Sequence, residues 1–235
     1  MIRKIRDIRQ NSMYDAKWNV VPRIYASIPN PTGWWTSAVV TKDGDNLVSQ
    51  IDDMSGNGYH AVQETQANKF LYVADEWNGN PILRGDGTKW ASGSFGKTFA
   101  QPNTYYIVWK NTGETNVVSI VFNQIHYIAH GSDSKVWVYP GAGAISVVYS
   151  KTSPYAQHII TTGIFNGANG KVFEDGVEKG SGNVGTTAAG SDFTIGRSTS
   201  SLRGDWGETL FYDKLLTATE DAIILQYLKS KYGLV

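Results

Sequence analysis

The segment Lys135–Tyr139 places two aromatic side chains where they could stack on a flat ligand. Side chains alternate between the two faces of a β-strand, so Val136 and Val138 would share one face. Trp137 and Tyr139 would then share the other. With the valines in the core, the two aromatics form an exposed step of the kind that packs against a sugar ring.

A second aromatic pair follows a Pro-Thr-Gly turn near the start of the chain. We expect one member of this pair to be exposed as well. The residues predicted to bind a ligand are Trp137, Tyr139, Trp34 and Trp35. An alternative stays open, in which these aromatics only pack beneath loops or against a neighbouring subunit.

Paired carboxylates would indicate glycosidic-bond hydrolysis, which needs two acidic groups flanking the bond. The nearest candidate pair lies in Glu174–Glu178, a segment whose Asp-Gly step is typical of a hairpin turn. A turn there would splay the carboxylates into solvent, and Glu208 stands alone on its predicted strand. No G-x-S-x-G nucleophile motif occurs in the chain. The sequence therefore predicts that the protein is not an enzyme, and a glycoside hydrolase is the least favoured function.

Histidines and acidic turns are the candidate metal ligands. His126 and His130 share one face of a strand, yet two histidines without a third ligand favour a solvated strand face over a metal site. Asp52, Asp53 and Asn57 cluster in one turn and are weak candidates for calcium. The same side chains can instead bond their own turn backbone. Calcium is therefore left open, and no other cofactor is predicted.

The elements that must position these residues are short strands separated by turn signals about every ten residues. The predicted strands are Leu47–Ile51, Phe70–Val73, Tyr105–Lys110, Val117–Phe122, Val136–Tyr139, Ala144–Tyr149, His158–Phe165, Lys171–Glu174, Val177–Lys179, Phe193–Gly196 and Trp206–Tyr212. One helix is predicted near the C-terminus. Thr217 and Glu220 form a capping box, and Gly233 suits the left-handed residue that ends a helix.

Five segments occur in an order that resembles one known superfamily. They are Val48–Gln63 with its D-x-SGNG turn, Asn78–Gly87, Lys171–Val177, Phe193–Gly196 and Gly204–Asp213. In this order they resemble the concanavalin A-like lectin and glucanase superfamily, in its laminin-G-like branch. The resemblance covers roughly residues 35–110 and 155–235 and implies an all-β, two-sheet antiparallel jelly-roll sandwich with one C-terminal helix. It implies no single ligand, because one fold hosts many activities.

Composition limits the function classes further. The chain has 235 residues, no cysteine, and 21 basic against 21 acidic side chains. Zero net charge removes the basic footprint of a nucleic-acid binder, and no apolar run is long enough to span a membrane. Residues 1–30 form a basic, proline-punctuated arm, and residues 31–235 form the sandwich domain.

The function predicted from these features is a non-enzymatic structural or adhesion protein, a phage head-fibre, decoration or tail component. Its residues 1–30 would dock on other virion or surface proteins, and a homo-oligomer is an open expectation. The predicted location is a virion or an extracellular surface, and the N-terminus does not resemble a secretion signal. The alternative is a carbohydrate-binding module that recognises surface glycans.

Overall fold

The computed structural model describes residues 27–113, 117–122, 126–130, 135–139, 147–152, 155–196 and 202–235, and leaves out the side chains of 117–122. Residues 1–26 of the predicted arm therefore lie outside the described residues. The remainder of the arm packs on the domain. Ile28 is buried, and the Tyr212 hydroxyl donates to the Pro29 carbonyl at 3.1 Å.

The described chain is built mainly from strands. They are β1 (Gly33–Lys42), β2 (Val48–Asp53), β3 (Ala61–Val62), β4 (Leu71–Trp77), β5 (Asn80–Asp86), β6 (Trp90–Ser94), β7 (Asn103–Asn111), β8 (Val117–Phe122), β9 (His126–His130), β10 (Lys135–Tyr139), β11 (Val147–Ser150), β12 (Ile159–Phe165), β13 (Gly170–Glu174), β14 (Val177–Gly182), β15 (Asp192–Gly196) and β16 (Arg203–Tyr212). One α-helix, α1 (Ala218–Tyr232), and two short 3-10 helices, Gln66–Asn68 and Gly167–Asn169, complete the described elements. None of the helices in the described part has the length and apolar character to cross a bilayer.

The strands pair antiparallel in two layers. The first sheet runs in the order β11-β10-β9-β8-β15-β6-β3-β2, and the second runs β16-β7-β12-β13-β14 with β5 and β4 added beside β16. β1 joins them, since Gly33–Thr36 pairs with β16 while Val40–Lys42 pairs with β2. The prediction of an all-β antiparallel sandwich with one C-terminal helix is confirmed.

The main core fills the space between the two sheets. Alternate residues of each strand enter it, among them Trp109 from β7, Val136 and Val138 from β10, and Phe193 from β15. Each of these side chains is essentially removed from water, and burying large apolar groups is the dominant stabilising term of such a fold.

Helix α1 covers the outer face of the second sheet. The Thr217 hydroxyl accepts from the Glu220 amide, the Glu220 carboxylate accepts from the Thr217 amide, and Gly233 ends the helix at φ 71°. Ile224 and Leu228 belong there to the same buried apolar cluster as Leu210 of β16. The predicted capping box and left-handed C-terminal glycine are confirmed.

Candidate functional site

Two partly exposed aromatic residues lie on β10, at the outer face of the first sheet. Val136 and Val138 are fully buried in the core, so Trp137 and Tyr139 point to the opposite, partly exposed face. The predicted alternation along this strand is therefore observed. Binding of a ligand by these side chains remains a prediction.

A third aromatic residue extends this surface. Tyr127 of β9 lies directly across from Tyr139, and the two rings stack with centroids 4.5 Å apart at 25°. Ala129 lies across from Trp137 on the same strand as Tyr127. We call Tyr127, Trp137 and Tyr139 the aromatic platform. Tyr127 was not predicted, although the alternation of β9 with both histidines inward would have located it.

Trp34 and Trp35 lie elsewhere, and neither is exposed. Trp34 lies under helix α1 and donates its indole N–H to Glu208 Oε1 at 2.5 Å. Trp35 lies in the main core and donates to the Tyr59 carbonyl at 2.6 Å. The expectation that one of the pair is exposed is wrong, because β1 is covered on both faces.

The two histidines of β9 share one face, as predicted, but that face is the core. His126 stacks on Phe165 with centroids 4.2 Å apart, and its Nε2–H donates to the Thr187 carbonyl at 2.8 Å. Burial lowers the pKa of His126 to about 4. The His130 Nε2–H donates to the Lys151 carbonyl at 2.7 Å. The predicted solvated face is wrong, and these rings are held by backbone carbonyls.

The calcium candidates form hydrogen bonds with protein groups of their own turn and of the strands beside it. The Asp53 carboxylate accepts from the amides of Trp34, Ser55 and Tyr59 at 2.9–3.0 Å. It also accepts from the Ser55 hydroxyl at 2.7 Å. The Asp52 carboxylate accepts from the Gln50 amide, and the Asn57 amide donates to the Thr32 carbonyl. In the described residues no three His, Asp or Glu side chains come close enough together to hold a metal ion.

In the hairpin at Glu174–Glu178, the two glutamate side chains differ in their exposure to solvent. Asp175 and Gly176 take positive φ angles of 51° and 86°, as the predicted turn requires. Glu178 is exposed and pairs with Lys171. Glu174 instead accepts from the Tyr149 hydroxyl at 2.7 Å and pairs with Lys151 at 2.8 Å. The expectation of solvated carboxylates therefore holds for Glu178 and fails for Glu174, which ties β11 to β13.

Glu208 is fully buried between β16 and helix α1. It pairs with the buried Lys231 at 2.7 Å and accepts from the hydroxyls of Tyr227 and Tyr232 at 2.8 and 2.9 Å. Lys231 also donates to the Thr36 hydroxyl at 3.1 Å. This charged cluster, which the sequence did not indicate, is closed to solvent and fixes the helix on the sheet.

No protein-family model and no curated protein sequence matches the chain. Solved structures do match its fold. A Trypanosoma rangeli sialidase in complex with the inhibitor DANA matches with a TM-score of 0.62 and 16% identity, over 96% of this chain and 37% of that one. The chain thus spans little more than a third of that sialidase.

Two further neighbours are also carbohydrate-active. A GH54 α-L-arabinofuranosidase matches with a TM-score of 0.58 and 12% identity, over 79% of this chain and 51% of that one. Domain 4 of AbnA, a GH43 extracellular arabinanase from Geobacillus stearothermophilus, is bound to arabinotriose. It matches with a TM-score of 0.53 and 18% identity, over 83% of this chain and 98% of that domain. At these identities the likeness establishes a shared β-sandwich fold.

This comparison corrects two predictions about function. The three neighbours come from glycoside hydrolases, and none of the three is a virion or adhesion component. The prediction of a non-enzymatic virion protein is therefore contradicted, as is the prediction that the chain is not an enzyme. What the three neighbours share with this chain is the fold.

Proposed function

We propose that this protein binds carbohydrate on the aromatic platform of β9 and β10. The observation that carries the proposal is the grouping of Tyr127, Trp137 and Tyr139 on the outer face of one sheet. The C–H bonds on one face of a sugar ring pack well against an aromatic face. Tyrosine and tryptophan also provide large, rigid contact area at a low cost in side-chain entropy.

The backbone beneath the platform supports this assignment. Val136, Val138 and Ile128 hold β9 and β10 on the core, and the Tyr149–Glu174 bond ties the neighbouring β11 to the second sheet. A site on packed strands needs little ordering when a ligand arrives, so more of the contact energy remains as affinity. The arabinotriose bound to the similar domain of the arabinanase also supports a carbohydrate ligand.

The order of the five sequence segments supports a finer assignment within the lectin-like fold. We assign the chain to the laminin-G-like branch of the concanavalin A-like superfamily on that order. An extracellular surface is part of the same proposal, because polymeric glycans are found there.

The test is binding of the intact protein to a panel of soluble polysaccharides that includes arabinan, measured by affinity electrophoresis. The parent protein should be retarded by at least one polymer. Trp137→Ala should weaken that binding tenfold or more, which corresponds to about 1.4 kcal/mol and matches the loss of one aromatic stacking contact. Tyr139→Ala and Tyr127→Ala should each weaken it to a smaller extent.

Phe173→Ala is the matched control, because Phe173 is a partly exposed aromatic residue on β13 of the other sheet. This variant should bind like the parent, and thermal melts should show every variant folded. Failure of the parent to bind any polymer would overturn the proposed function. Full binding by a folded Trp137→Ala variant would remove the platform as the site.

A further inference from the structure

The edge strand beside the aromatic platform carries an exposed apolar side chain. Val148 of β11 lies directly across from Trp137 of β10. It points outward, because side chains alternate along a strand and its neighbour Val147 is buried in the main core. Val148 is 36% exposed, so part of its apolar surface meets solvent. The outer face around Trp137 therefore continues onto β11 as an apolar surface.

Both cross-strand neighbours of Trp137 are apolar. Ala129 lies across from Trp137 on β9, and Val148 lies across from it on β11. Directly opposite residues on one face of an antiparallel pair have Cβ atoms about 4.5–5.5 Å apart, which brings their side chains into contact. A sugar ring that packs on Trp137 therefore places one of its substituents next to the methyl groups of Val148.

The backbone on both sides of Val148 is anchored in the sandwich. Val147 belongs to the main core, and the Tyr149 hydroxyl donates to Glu174 of the second sheet at 2.7 Å. Glu174 also pairs with Lys151 at 2.8 Å. These contacts hold β11 although it is the edge strand of the first sheet. Val148 is therefore kept in place beside Trp137 before a ligand arrives, which lowers the ordering cost of the contact.

Polar groups on the outer face of β11 lie further along the strand. Ser150 is exposed on the same face as Val148 and lies across from Lys135. Two residues along a strand span about 7 Å, so Ser150 and Val148 would meet different parts of one sugar. The Ser150 hydroxyl both donates and accepts hydrogen bonds, which suits a ring hydroxyl.

The side chain of Val148 offers no hydrogen bond. A sugar hydroxyl held against it would lose contacts with water and gain no partner, which is unfavourable. A methyl group in the same place would leave water at a gain in free energy. The contact therefore favours a sugar that presents a methyl group beside Trp137 over one that presents a hydroxymethyl group.

We infer that Val148 is a specificity-determining residue of the proposed site, and that it selects a deoxyhexose whose terminal carbon is a methyl group. The methyl group would lie between Trp137 and Val148. This inference rests on the proposed function, since it places the sugar on Trp137. It adds the class of sugar and a contact residue on the edge strand.

The test is a titration of the intact protein, followed by NMR at the indole N–H signal of Trp137, which is assigned by its loss in Trp137→Ala. Two pairs of glycosides are compared, methyl α-L-fucoside with methyl α-L-galactoside and methyl α-L-rhamnoside with methyl α-L-mannoside. The members of each pair differ only in a terminal methyl or hydroxymethyl group. In at least one pair the deoxy member should bind about fivefold more tightly, as expected for one partly exposed methyl contact.

Val148→Thr replaces one methyl group by a hydroxyl at nearly the same volume, and it should bring the ratio within that pair close to one. Val177→Thr is the matched control, because Val177 is an exposed valine on β14 of the other sheet. This variant should keep the ratio of the parent. Thermal melts check that each variant is folded.

Equal binding within both pairs, tighter binding of the hydroxymethyl members, or an unchanged ratio in a folded Val148→Thr variant would overturn the inference. If these sugars still shift the Trp137 signal, the proposed function stands. If none of them binds while a polysaccharide retards the protein, the inference fails and the proposed function again stands. A parent that sediments as a dimer and becomes a monomer on Val148→Asn would also overturn the inference, since the apolar surface would then contact a second copy of the chain.

Discussion

At the scale of single residues, Asp53 illustrates how one acidic side chain can organise a turn. Its two carboxylate oxygens accept four hydrogen bonds, three from backbone amides and one from the Ser55 hydroxyl. Hydrogen bonds to an ionised carboxylate are about twice as strong as those between neutral groups. The turn is therefore stabilised by hydrogen bonds from protein donors. Both carboxylate oxygens of Asp53 already accept such bonds.

This arrangement predicts that chelation leaves the fold unaffected. Addition of EDTA should not move the midpoint of thermal unfolding, because Asp53 needs no cation to hold the turn. Asp53→Asn should lower the midpoint, since the amide provides one acceptor oxygen in place of two. A lower midpoint in EDTA, reversed by added calcium, would contradict this expectation and favour the calcium interpretation of Asp52, Asp53 and Asn57.

At the scale of elements, the contact between helix α1 and the second sheet combines an apolar interface with a buried ion pair. Ile224 and Leu228 supply the apolar contact, and Lys231 meets Glu208 inside it. Two charges removed from water lose their hydration. The pair is tolerable only because Trp34, Thr36, Tyr227 and Tyr232 complete its hydrogen bonds.

We expect the two charges to be strongly coupled. Lys231→Met should lower the free energy of unfolding by about 3–5 kcal/mol, because it leaves a buried carboxylate without its cation. The double variant Glu208→Gln/Lys231→Met should lose much less than the sum of the single losses. Urea denaturation of the four proteins in this cycle provides the measurement.

Lys171→Met is the control for this cycle. Its ion pair with Glu178 is exposed, so the loss should stay under about 1 kcal/mol. Strictly additive losses at Glu208 and Lys231 would show that the two side chains act independently, contrary to their 2.7 Å contact.

At the scale of the whole molecule, the two sheets are also joined by the stack of His126 on Phe165. Burial holds the pKa of His126 at about 4 against 6.5 for the free side chain. Between pH 4 and pH 6.5 the His126 imidazole is protonated in the unfolded chain and neutral in the folded chain. Stability is therefore complete above pH 6.5 and declines as the pH falls toward 4, by up to about 3 kcal/mol from this group.

Removal of this histidine should flatten the pH dependence. His126→Phe keeps a ring on Phe165, so its free energy of unfolding should fall less than that of the parent between pH 7 and pH 4.5. Phe173→Leu is the control, because it replaces a partly exposed ring on β13 without changing an ionisable group, and it should keep the pH dependence of the parent. An unchanged slope for His126→Phe would contradict the buried, neutral imidazole.

Local sequence signals were sufficient for much of the fold. Alternation along β10 placed Val136 and Val138 inward, so Trp137 and Tyr139 point outward. The Asp175-Gly176 step specified its hairpin, because both positions of that turn require a positive φ. The capping box and Gly233 set the ends of helix α1. Each of these features depends on residues within a few positions of one another, so the chain alone determines them.

Only the tertiary structure decided which surfaces are covered and which residues meet. Trp34 and Trp35 are buried because helix α1 and the first sheet cover the two faces of β1, and neither cover is local in sequence. Tyr127 stacks on Tyr139 only because β9 pairs with β10 in one particular register. Such contacts depend on strand order and register, which periodicity does not specify. The sequence by itself therefore determined many of the strands and the two faces of β10. Strand pairing and packing decided the burial of Trp34, Trp35 and the β9 histidines, and they placed Tyr127 beside Tyr139.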